Sequence, residues 1–236
     1  MSAFRGTAGA GGGIKIDLDC FSGVPGLYAA GDITRVGPHG TYSLGGIHMG
    51  YSAVSGDLAG RRAAEFLIQD GTGKPLNRKH AKELLKNTLL PVRIEQGVSP
   101  DEAVHQLQKA IISIEVCFLK SRRSINEAMG KVANVKEDLL PRLKAKDAHE
   151  LVKAIECRSM VPIAQMMLIA SLAREESRGF HFREEFPFTD NKDWLKLVVL
   201  KKRGDGEYEV RTEPVDTPYV KPKEERTLPR GIRLDA

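Results

Sequence analysis

The spacing of hydrophobic and polar residues near the start of the chain predicts two strands followed by a helix. The segment GGIKIDLD alternates apolar and polar residues from Ile14 to Asp19, and GLYAAGD at 26–32 is typical of a short buried strand. From about His48 to Gly71, apolar or small residues recur at three- and four-residue steps, which predicts a helix. We expect its small face to pack close to a backbone or a ligand; that face comprises Met49, Ala53, Gly56, Gly60, Ala63, Ala64 and Leu67.

The middle of the chain, from Lys79 to about Gly179, has the periodicity of helices. Its strongest start signal is the segment SPDEAV. Ser99 is a natural N-cap, Pro100 fits the first helical position, and Glu102 follows three residues after the cap. We therefore predict that a helix begins directly after Ser99.

Two further helices are predicted in this region. The first covers about 125–140 and is ended by Pro141, because proline cannot continue a helix. The second covers about 147–177, with Asp147 as its N-cap, and its middle is apolar almost all round. We expect it to be the central helix of a three- to four-helix antiparallel bundle.

The C-terminal part has different chemistry and predicts a β-hairpin around Gly204-Asp205-Gly206, followed by an extended tail. The predicted fold class is therefore α+β. It consists of a partial α/β region at 1–73, a helical bundle at 74–185 and a hairpin with its tail at 186–236.

The composition indicates a globular protein that binds neither nucleic acid nor metal. The formal net charge of the 236 residues is +5, and the basic residues alternate with acidic ones on predicted helices instead of forming a basic patch with aromatics. The three cysteines are far apart and form no CxxC pair, so no cysteine metal site or disulfide framework is expected. Isolated thiols fit a reducing compartment and a cytoplasmic location.

No membrane-spanning segment is expected from the sequence. The most apolar stretch, residues 160–173, is too short to cross a bilayer, and the N-terminal segment lacks the apolar core of a signal peptide. We therefore expect a soluble protein.

The segment VPGLYAAGD, which ends at Asp32, carries the most informative chemistry in the chain. A carboxylate after a buried strand can accept hydrogen bonds from sugar or ribityl hydroxyls, and Gly31 allows the backbone to approach a ligand closely. The alternative is that Asp32 only caps a turn. The spacing of the residues leaves both interpretations open.

Several segments resemble the succinate dehydrogenase/fumarate reductase flavoprotein family, which includes L-aspartate oxidase and the adenylylsulfate reductase α subunit. GGIKIDLDCFSGVPGLYAAGD is similar to the segment with which that family closes its contact with FAD. HGTYSLGGIHM at 39–49 resembles the family segment HGANRLGGNSL, and ESRGFHFREEFPFTDNKDWLK at 176–196 resembles a later family motif. The resemblance covers residues 12 to about 197.

The resemblance implies the positions of a flavin site. In the family, the acidic residue at Asp32 binds the ribityl region, and the backbone of the LGG segment lies against the flavin ring. The implied FAD-contacting residues are Gly31, Asp32, Ser43, Leu44, Gly45 and Gly46. His48 is interpreted as a residue of the first helical turn, and Arg178, His181 and Arg183 as structural members of the later motif.

This sequence departs from the family pattern at two places. Ser43 stands where the family has its substrate-binding arginine, and serine cannot form a bidentate charged clamp on a dicarboxylate. No GxGxxG turn follows a strand, so the pyrophosphate part of an FAD site is missing. The sequence therefore implies an incomplete FAD site and identifies no catalytic residue.

The implied function is that of the C-terminal part of an FAD-dependent oxidoreductase subunit. We expect this part to be inactive by itself. The expected partners are an iron–sulfur electron-transfer subunit or the missing N-terminal flavoprotein part, through which the protein would be peripheral to the inner membrane. The alternatives are a flavoprotein of adenylylsulfate-type sulfur-compound reduction, because of Ser43, and a non-catalytic docking fragment.

Overall fold

Helices dominate the secondary structure, and the strands are short. The computed structural model describes residues 12–34, 46–70, 76–204 and 207–228. The helices are α1 Ile47–Asp70, α2 Arg78–Thr88, α3 Leu90–Arg93, α4 Pro100–Ile111, α5 Ile114–Cys117, α6 Arg122–Asn134 and α7 Ala148–Ala173. The strands are β1 Leu119–Lys120, β2 Phe182–Arg183, β3 Thr189–Asp190, β4 Lys196–Lys202, β5 Tyr208–Pro214 and β6 Arg226–Thr227. This mixture of helix and strand confirms the predicted α+β class.

The chain divides into two compact units, Met1–Pro75 and Leu76–Ala236. The finer division into three parts stays a prediction. The two units differ in their packing. Few side chains are buried in the described part of the first unit, whereas the second unit has an apolar core.

The two strands predicted in the first unit do not form, which corrects the sequence-based expectation. Ile14 makes one bridge to Thr34, Phe21 makes one bridge to Tyr28, and neither extends into a ladder. The predicted alternation also fails, because the Leu18 side chain is 96% exposed. A strand needs neighbouring strands to pair its backbone groups, and the described residues of this unit supply single bridges only.

Helix α1 begins at Ile47, close to the predicted start. The face that contacts the Asp32 turn carries Tyr51, Ser52 and Ser55, and the face of small residues is exposed except at Ala63, which is partly buried. A side-chain carbon added at the three glycines within the helix would meet no atom within 4 Å among the described residues. The close packing predicted for that face is therefore not made there.

The second unit is held by helices α4, α6 and α7, which pack on one another. Buried side chains form two apolar clusters, and Leu139 and Leu140 pack against both. The larger cluster comprises Leu107, Ala110, Val116, Ile125, Ala128, Val132, Val135, Val161, Ala164 and Leu168, and the smaller one comprises Ala103, Leu143, Ala154 and Cys157. Small residues on α7 let the helices approach closely, which is favourable because close packing maximises dispersion contacts.

Local capping sets where these helices begin. The Ser99 hydroxyl accepts a hydrogen bond from the Glu102 N–H at 3.2 Å, and Asp147 accepts one from the Glu150 N–H at 2.8 Å, so both predicted N-caps are confirmed. Helix α6 begins earlier than predicted, because Ser121 and Ser124 form a reciprocal capping box.

The ends of the helices differ more from the prediction. Helix α6 stops at Asn134 and continues as a π-helical turn over Val135–Leu139 and a 3₁₀ turn over Leu140–Arg142, which contains Pro141. Helix α7 ends at Ala173, four residues before the predicted end at Ser177. The cause is the buried side chain of Arg183, from later in the chain.

Only one face of α7 is buried, although its sequence is apolar almost all round. Ala154, Cys157, Val161, Ala164 and Leu168 are buried, whereas Val152, Ile163 and Met167 on other faces are 41–60% exposed.

The length of α7 corrects an expectation from the sequence. Among the described residues, α7 alone is long and apolar enough to cross a membrane, with a mean hydropathy of 1.2 over 18 residues. The sequence-based prediction used only the apolar stretch 160–173, which is too short to cross a bilayer. The whole helix has 26 residues, so that prediction does not hold for it. Core helices of soluble proteins meet the same criteria, so length and composition do not distinguish the two cases.

Within the described residues, the strands of the second unit form three separate pairs. Strands β4 and β5 pair antiparallel from Lys196 opposite Pro214 to Lys202 opposite Tyr208. Strands β1 and β2 pair in parallel, and β3 pairs antiparallel with β6. The parallel pair joins the segment before α6 to the segment after α7.

Replacing the Ser99 cap tests the local origin of α4. Ser99→Ala removes the acceptor for the Glu102 N–H, so we expect a loss of about 1 kcal/mol in the free energy of unfolding. Chemical denaturation measures the change. Ser159→Ala, at an exposed position inside α7, is the control and should be neutral or slightly stabilising, because alanine has the higher helix propensity. An unchanged stability for Ser99→Ala would show that the cap contributes nothing.

Candidate functional site

The Asp32 segment is a 3₁₀ turn, Gly31–Ile33, that packs against the beginning of α1. Gly31 has a φ of +68°, a left-handed conformation that favours glycine, and a side-chain carbon there would lie 3.1 Å from the Ser52 hydroxyl. The Gly31 N–H donates to Ser55 Oγ at 3.0 Å. These contacts fix the backbone on which the Asp32 carboxylate stands.

Thr34 closes the turn from its other end. Its hydroxyl donates to the Gly31 carbonyl at 2.8 Å and lies 2.9 Å from the Tyr51 hydroxyl. Thr34 is fully buried, and its polar group is satisfied by these two contacts. The turn is therefore anchored to two successive turns of α1, through Tyr51 and through Ser55.

The Asp32 carboxylate is largely exposed, and within the described part of the chain it makes one side-chain hydrogen bond. Its Oδ1 atom lies 2.8 Å from His48 Nδ1, on the first turn of α1. The Asp32 side chain is 64% exposed and that of His48 is 32% exposed. Among the described residues no backbone N–H donates to this carboxylate; Arg35, whose N–H a turn cap could bind, lies outside them, so the turn-cap alternative stays open.

The implied site residues of the LGG segment are only partly within the described residues. Gly46 precedes α1 directly and has a φ of +80°, so it is a second position where glycine is favoured. Ser43, Leu44 and Gly45 lie outside the described residues. The structure therefore brings the turn with Gly31 and Asp32 to the first turns of α1, and the rest of the predicted set stays a prediction.

Sequence reasoning missed the residues that support the turn. Ser55 links Gly31 to the Tyr51 carbonyl, and Cys20 donates its thiol to the Ser55 carbonyl at 3.6 Å. Burial, together with Asp17 and Asp19, raises the pKa of the Cys20 thiol, which favours the protonated donor. Only the four-residue spacing of Tyr51 and Ser55 on one helix face could have indicated this network.

A second cluster of charged residues surrounds Glu176 in the second unit. The Glu176 side chain is fully buried and accepts two hydrogen bonds from Arg178, each at 2.9 Å, and one from Arg174. The Asp190 N–H also donates to it, at 3.0 Å. Because several donors satisfy this carboxylate, the cluster is a structural crosslink.

Arg183 ends helix α7. It is fully buried, and its Nη1 atom donates to the carbonyls of Ser171, Leu172 and Arg174 at 2.8–3.1 Å. The last carbonyls of a helix lack intrahelical partners, so a buried guanidinium there satisfies them and complements the helix dipole. This explains why α7 stops at Ala173, and it supports the structural interpretation of the motif.

His181 and Lys120 lie in the same environment. Burial and the nearby charges of Lys120, Arg174 and Arg183 lower the pKa of His181 to about 3, and burial chiefly lowers the pKa of Lys120 to about 8. The Lys120 ammonium donates to the Cys117 carbonyl at 2.6 Å, and His181 Nε2 is buried without a hydrogen-bond partner among the described residues. A histidine that stays neutral over the physiological range is a poor general acid.

The described residues contain no group of three or more His, Cys, Asp or Glu side chains that could hold a metal ion. The two polar clusters differ in exposure. The Asp32 carboxylate is open, whereas the Glu176 carboxylate is closed and satisfied. The turn of Asp32 is therefore the better candidate for binding a ligand.

Comparison with known proteins gives the same family as the sequence motifs. The family described as fumarate reductase flavoprotein C-term matches residues 105–227. One subunit of the fumarate reductase (CoM/CoB) of Methanothermobacter marburgensis is 29% identical over 81% of this chain and 35% of its own length. L-aspartate oxidase of Caulobacter vibrioides is 30% identical over 83% of this chain and 32% of its own length.

Solved structures show the same likeness. A mutant FrdA of Escherichia coli quinol fumarate reductase matches with a TM-score of 0.78 and 25% identity, over 90% of this chain and 37% of FrdA. Sdh1 of Mycobacterium smegmatis, in the apo form of its complex, matches with a TM-score of 0.76 and 25% identity, over 88% of this chain and 36% of its own. The chain thus spans about a third of the length of the relatives it matches.

The buried histidine leads to a prediction about acid stability. Folded His181 stays neutral down to a pKa of about 3, whereas the unfolded chain takes up a proton below 6.5. Stability is therefore lost as the pH falls from 6.5 towards 3, by up to about 1.4 kcal/mol per pH unit from this group.

His181→Asn should remove that component, so the free energy of unfolding of the variant should fall less steeply with acid than that of the wild type. Denaturation at pH 7, 6, 5 and 4 measures the difference. His149→Asn, at an exposed position on α7, controls for the loss of an imidazole. Parallel pH profiles for wild type and His181→Asn would contradict the prediction.

Proposed function

The chain belongs to the succinate dehydrogenase/fumarate reductase flavoprotein family, and from this premise we propose that it is the C-terminal part of an FAD-dependent oxidoreductase flavoprotein subunit. The family match supports a flavoprotein oxidoreductase of this type. One observation supports a specific binding site: the exposed Asp32 carboxylate lies on a glycine-containing turn that packs against the first turns of α1.

The residues of the Asp32 turn fit a hydroxyl-bearing ligand such as the ribityl chain of FAD. Asp32 offers carboxylate oxygens to solvent, and Gly31 has no side chain to hold a ligand away from the backbone. Gly31, Asp32 and Gly46 would contact the cofactor, with Ser43, Leu44 and Gly45 completing this side as the sequence motif implies. When bound, FAD accepts two electrons as a hydride and passes them on.

The rest of the FAD site would come from outside this chain. The chain has no strand followed by GxGxxG, the motif that places a pyrophosphate on a helix N-terminus. The chain spans about a third of the length of its relatives, which is compatible with an additional N-terminal flavoprotein part. We propose that its partners are this part and an iron–sulfur protein that transfers electrons.

The second unit would provide the docking framework for these partners. We propose that α4, α6 and α7 form the core of the antiparallel bundle and that β4 and β5 form the hairpin behind it. Apolar side chains of α7 are exposed on faces that the bundle does not cover. A cytoplasmic location, peripheral to a membrane through these partners, fits such features.

A sulfur-compound reductase of the adenylylsulfate type is a second candidate within the family. It is favoured by Ser43, which replaces the cation expected for a dicarboxylate substrate. A non-catalytic docking fragment is the alternative from a different functional class. It predicts that no form of the protein binds FAD.

The isolated chain should bind FAD weakly or not at all. The pyrophosphate contacts are missing, and their loss should remove roughly several kcal/mol of binding free energy. The measurement is flavin absorbance after gel filtration of the purified chain mixed with FAD. A yellow protein that retains one FAD would contradict the incomplete-site proposal.

Asp32 should contribute to FAD binding in the complete flavoprotein. Asp32→Ala removes a charge-assisted hydrogen bond, so we expect the dissociation constant to rise by about one to two powers of ten. Asp32→Glu should be milder, because the carboxylate is kept. Fluorescence titration of FAD measures both, with melting curves to check folding. Equal affinities for all three proteins would count against the Asp32 site.

The complete flavoprotein should reduce fumarate poorly, because Ser43 provides no charge for a substrate carboxylate. Steady-state assays with fumarate and with adenylylsulfate as electron acceptors compare the two candidates. Ser43→Arg should raise the fumarate rate if the missing cation is the cause. Efficient fumarate turnover by the wild type would mean that another cation, with Arg35 nearest in sequence, fulfils this role.

A further inference from the structure

We infer that His48 is a positioning residue for the ligand-binding carboxylate of Asp32. This inference rests on the proposed function, since it assumes that Asp32 accepts a hydrogen bond from a flavin hydroxyl. It adds His48 to the residues that the sequence motif implies for the flavin site. The observation behind it is the 2.8 Å contact between His48 Nδ1 and Asp32 Oδ1, across sixteen residues of sequence.

The contact defines which atom donates. An ionised carboxylate can only accept hydrogen bonds, so the proton of this bond lies on His48 Nδ1. The bond engages Oδ1 and leaves Oδ2 to accept from a ligand hydroxyl. His48 therefore selects the orientation of the carboxylate, in addition to binding it.

The placement of the two residues favours this orientation. The backbone under Asp32 is fixed by the bond from the Gly31 N–H to Ser55, and His48 stands on the same helix as Ser55. The positions of both partners of the bond are therefore set by α1. A carboxylate held in one rotamer before binding loses less side-chain freedom when a ligand arrives.

The exposure of the pair determines when the bond contributes most. Asp32 is 64% exposed, so water competes for the bond and its effect on folding should be small. A flavin lying over the carboxylate would exclude that water, and hydrogen bonds to a charged group strengthen in a drier environment. The pair should therefore matter for FAD affinity and much less for the stability of the FAD-free protein.

Asparagine at position 48 provides a conservative rescue. The side-chain amide of asparagine offers an N–H donor at nearly the position of the histidine Nδ1 atom. It keeps the hydrogen bond and removes the imidazole ring. His48→Asn should thus preserve the orientation of Asp32, whereas His48→Ala should lose it.

The experiment is a double-mutant cycle in the complete flavoprotein, with FAD affinity as the readout. His48→Ala should weaken FAD binding about threefold to tenfold, which corresponds to the net strength of a typical hydrogen bond, because His48 acts on the ligand only through Asp32. His48→Asn should remain within about twofold of the wild type, and melting of the FAD-free protein should be nearly unchanged in both. In an Asp32→Ala background, His48→Ala should have no further effect, because the group that it positions is gone.

A matched control is available on the same helix. Asp57→Ala removes the exposed ion pair between Asp57 and Arg61, which is 2.7 Å long and does not involve the Asp32 turn. It should leave FAD affinity unchanged. This control separates loss of a surface ion pair on α1 from loss of the Asp32 partner.

The outcomes distinguish failure of the inference from failure of the proposed function. If Asp32→Ala weakens FAD binding and His48→Ala does not, the role of His48 is wrong and the flavin site stands. Additive effects of the two substitutions also overturn that role, because they show independent action. If the complete wild-type protein binds no FAD, both the proposed function and the inference fall.

Discussion

The fold of the second unit depends on one buried guanidinium. Arg183 satisfies three carbonyls at the end of α7 and, as part of β2, pairs with Lys120 ahead of α6. The end of α7 and the strands that follow it are therefore joined by polar bonds with little exposure to water. Such bonds are strongly directional in a medium of low dielectric constant, so they determine where the helix stops and where the tail begins.

The charges around Arg183 are compensated locally. Glu176 lies between Arg174 and Arg178, and these interactions are buried or partly buried. The cost is visible in the neighbours. Burial, together with nearby positive charges, lowers the pKa of His181, and burial, together with Arg183, lowers the pKa of Lys120. The motif thus defines the path of the chain, and as a consequence two buried ionisable groups have lowered pKa values.

The first unit is organised differently, around hydrogen bonds to α1 instead of an apolar core. Ser55 and Tyr51 hold the turn that carries Asp32, and the buried apolar side chains among its described residues are Cys20 and Ala29. A unit with so little buried apolar area gains little from the hydrophobic effect. Its single bridges would extend into a sheet only if further strands paired with them. This agrees with the proposal that the flavin site is incomplete in this chain.

The sequence by itself determined the features that depend on neighbours within a few residues. The caps at Ser99 and Asp147, the start of α1, the α+β class and the family motifs were all readable in this way. Each rests on a local hydrogen bond or on a contiguous motif, which does not depend on how distant parts of the chain meet.

Only the tertiary structure decided the features that depend on distant partners. The end of α7 is set by Arg183, the predicted strands at 14–19 and 26–32 lack a ladder, and His48 meets Asp32 across sixteen residues. One face of α7 is buried although the sequence is apolar almost all round. Periodicity fixes which residues share a face, but which face is covered, and which donor reaches which acceptor, follows from long-range packing.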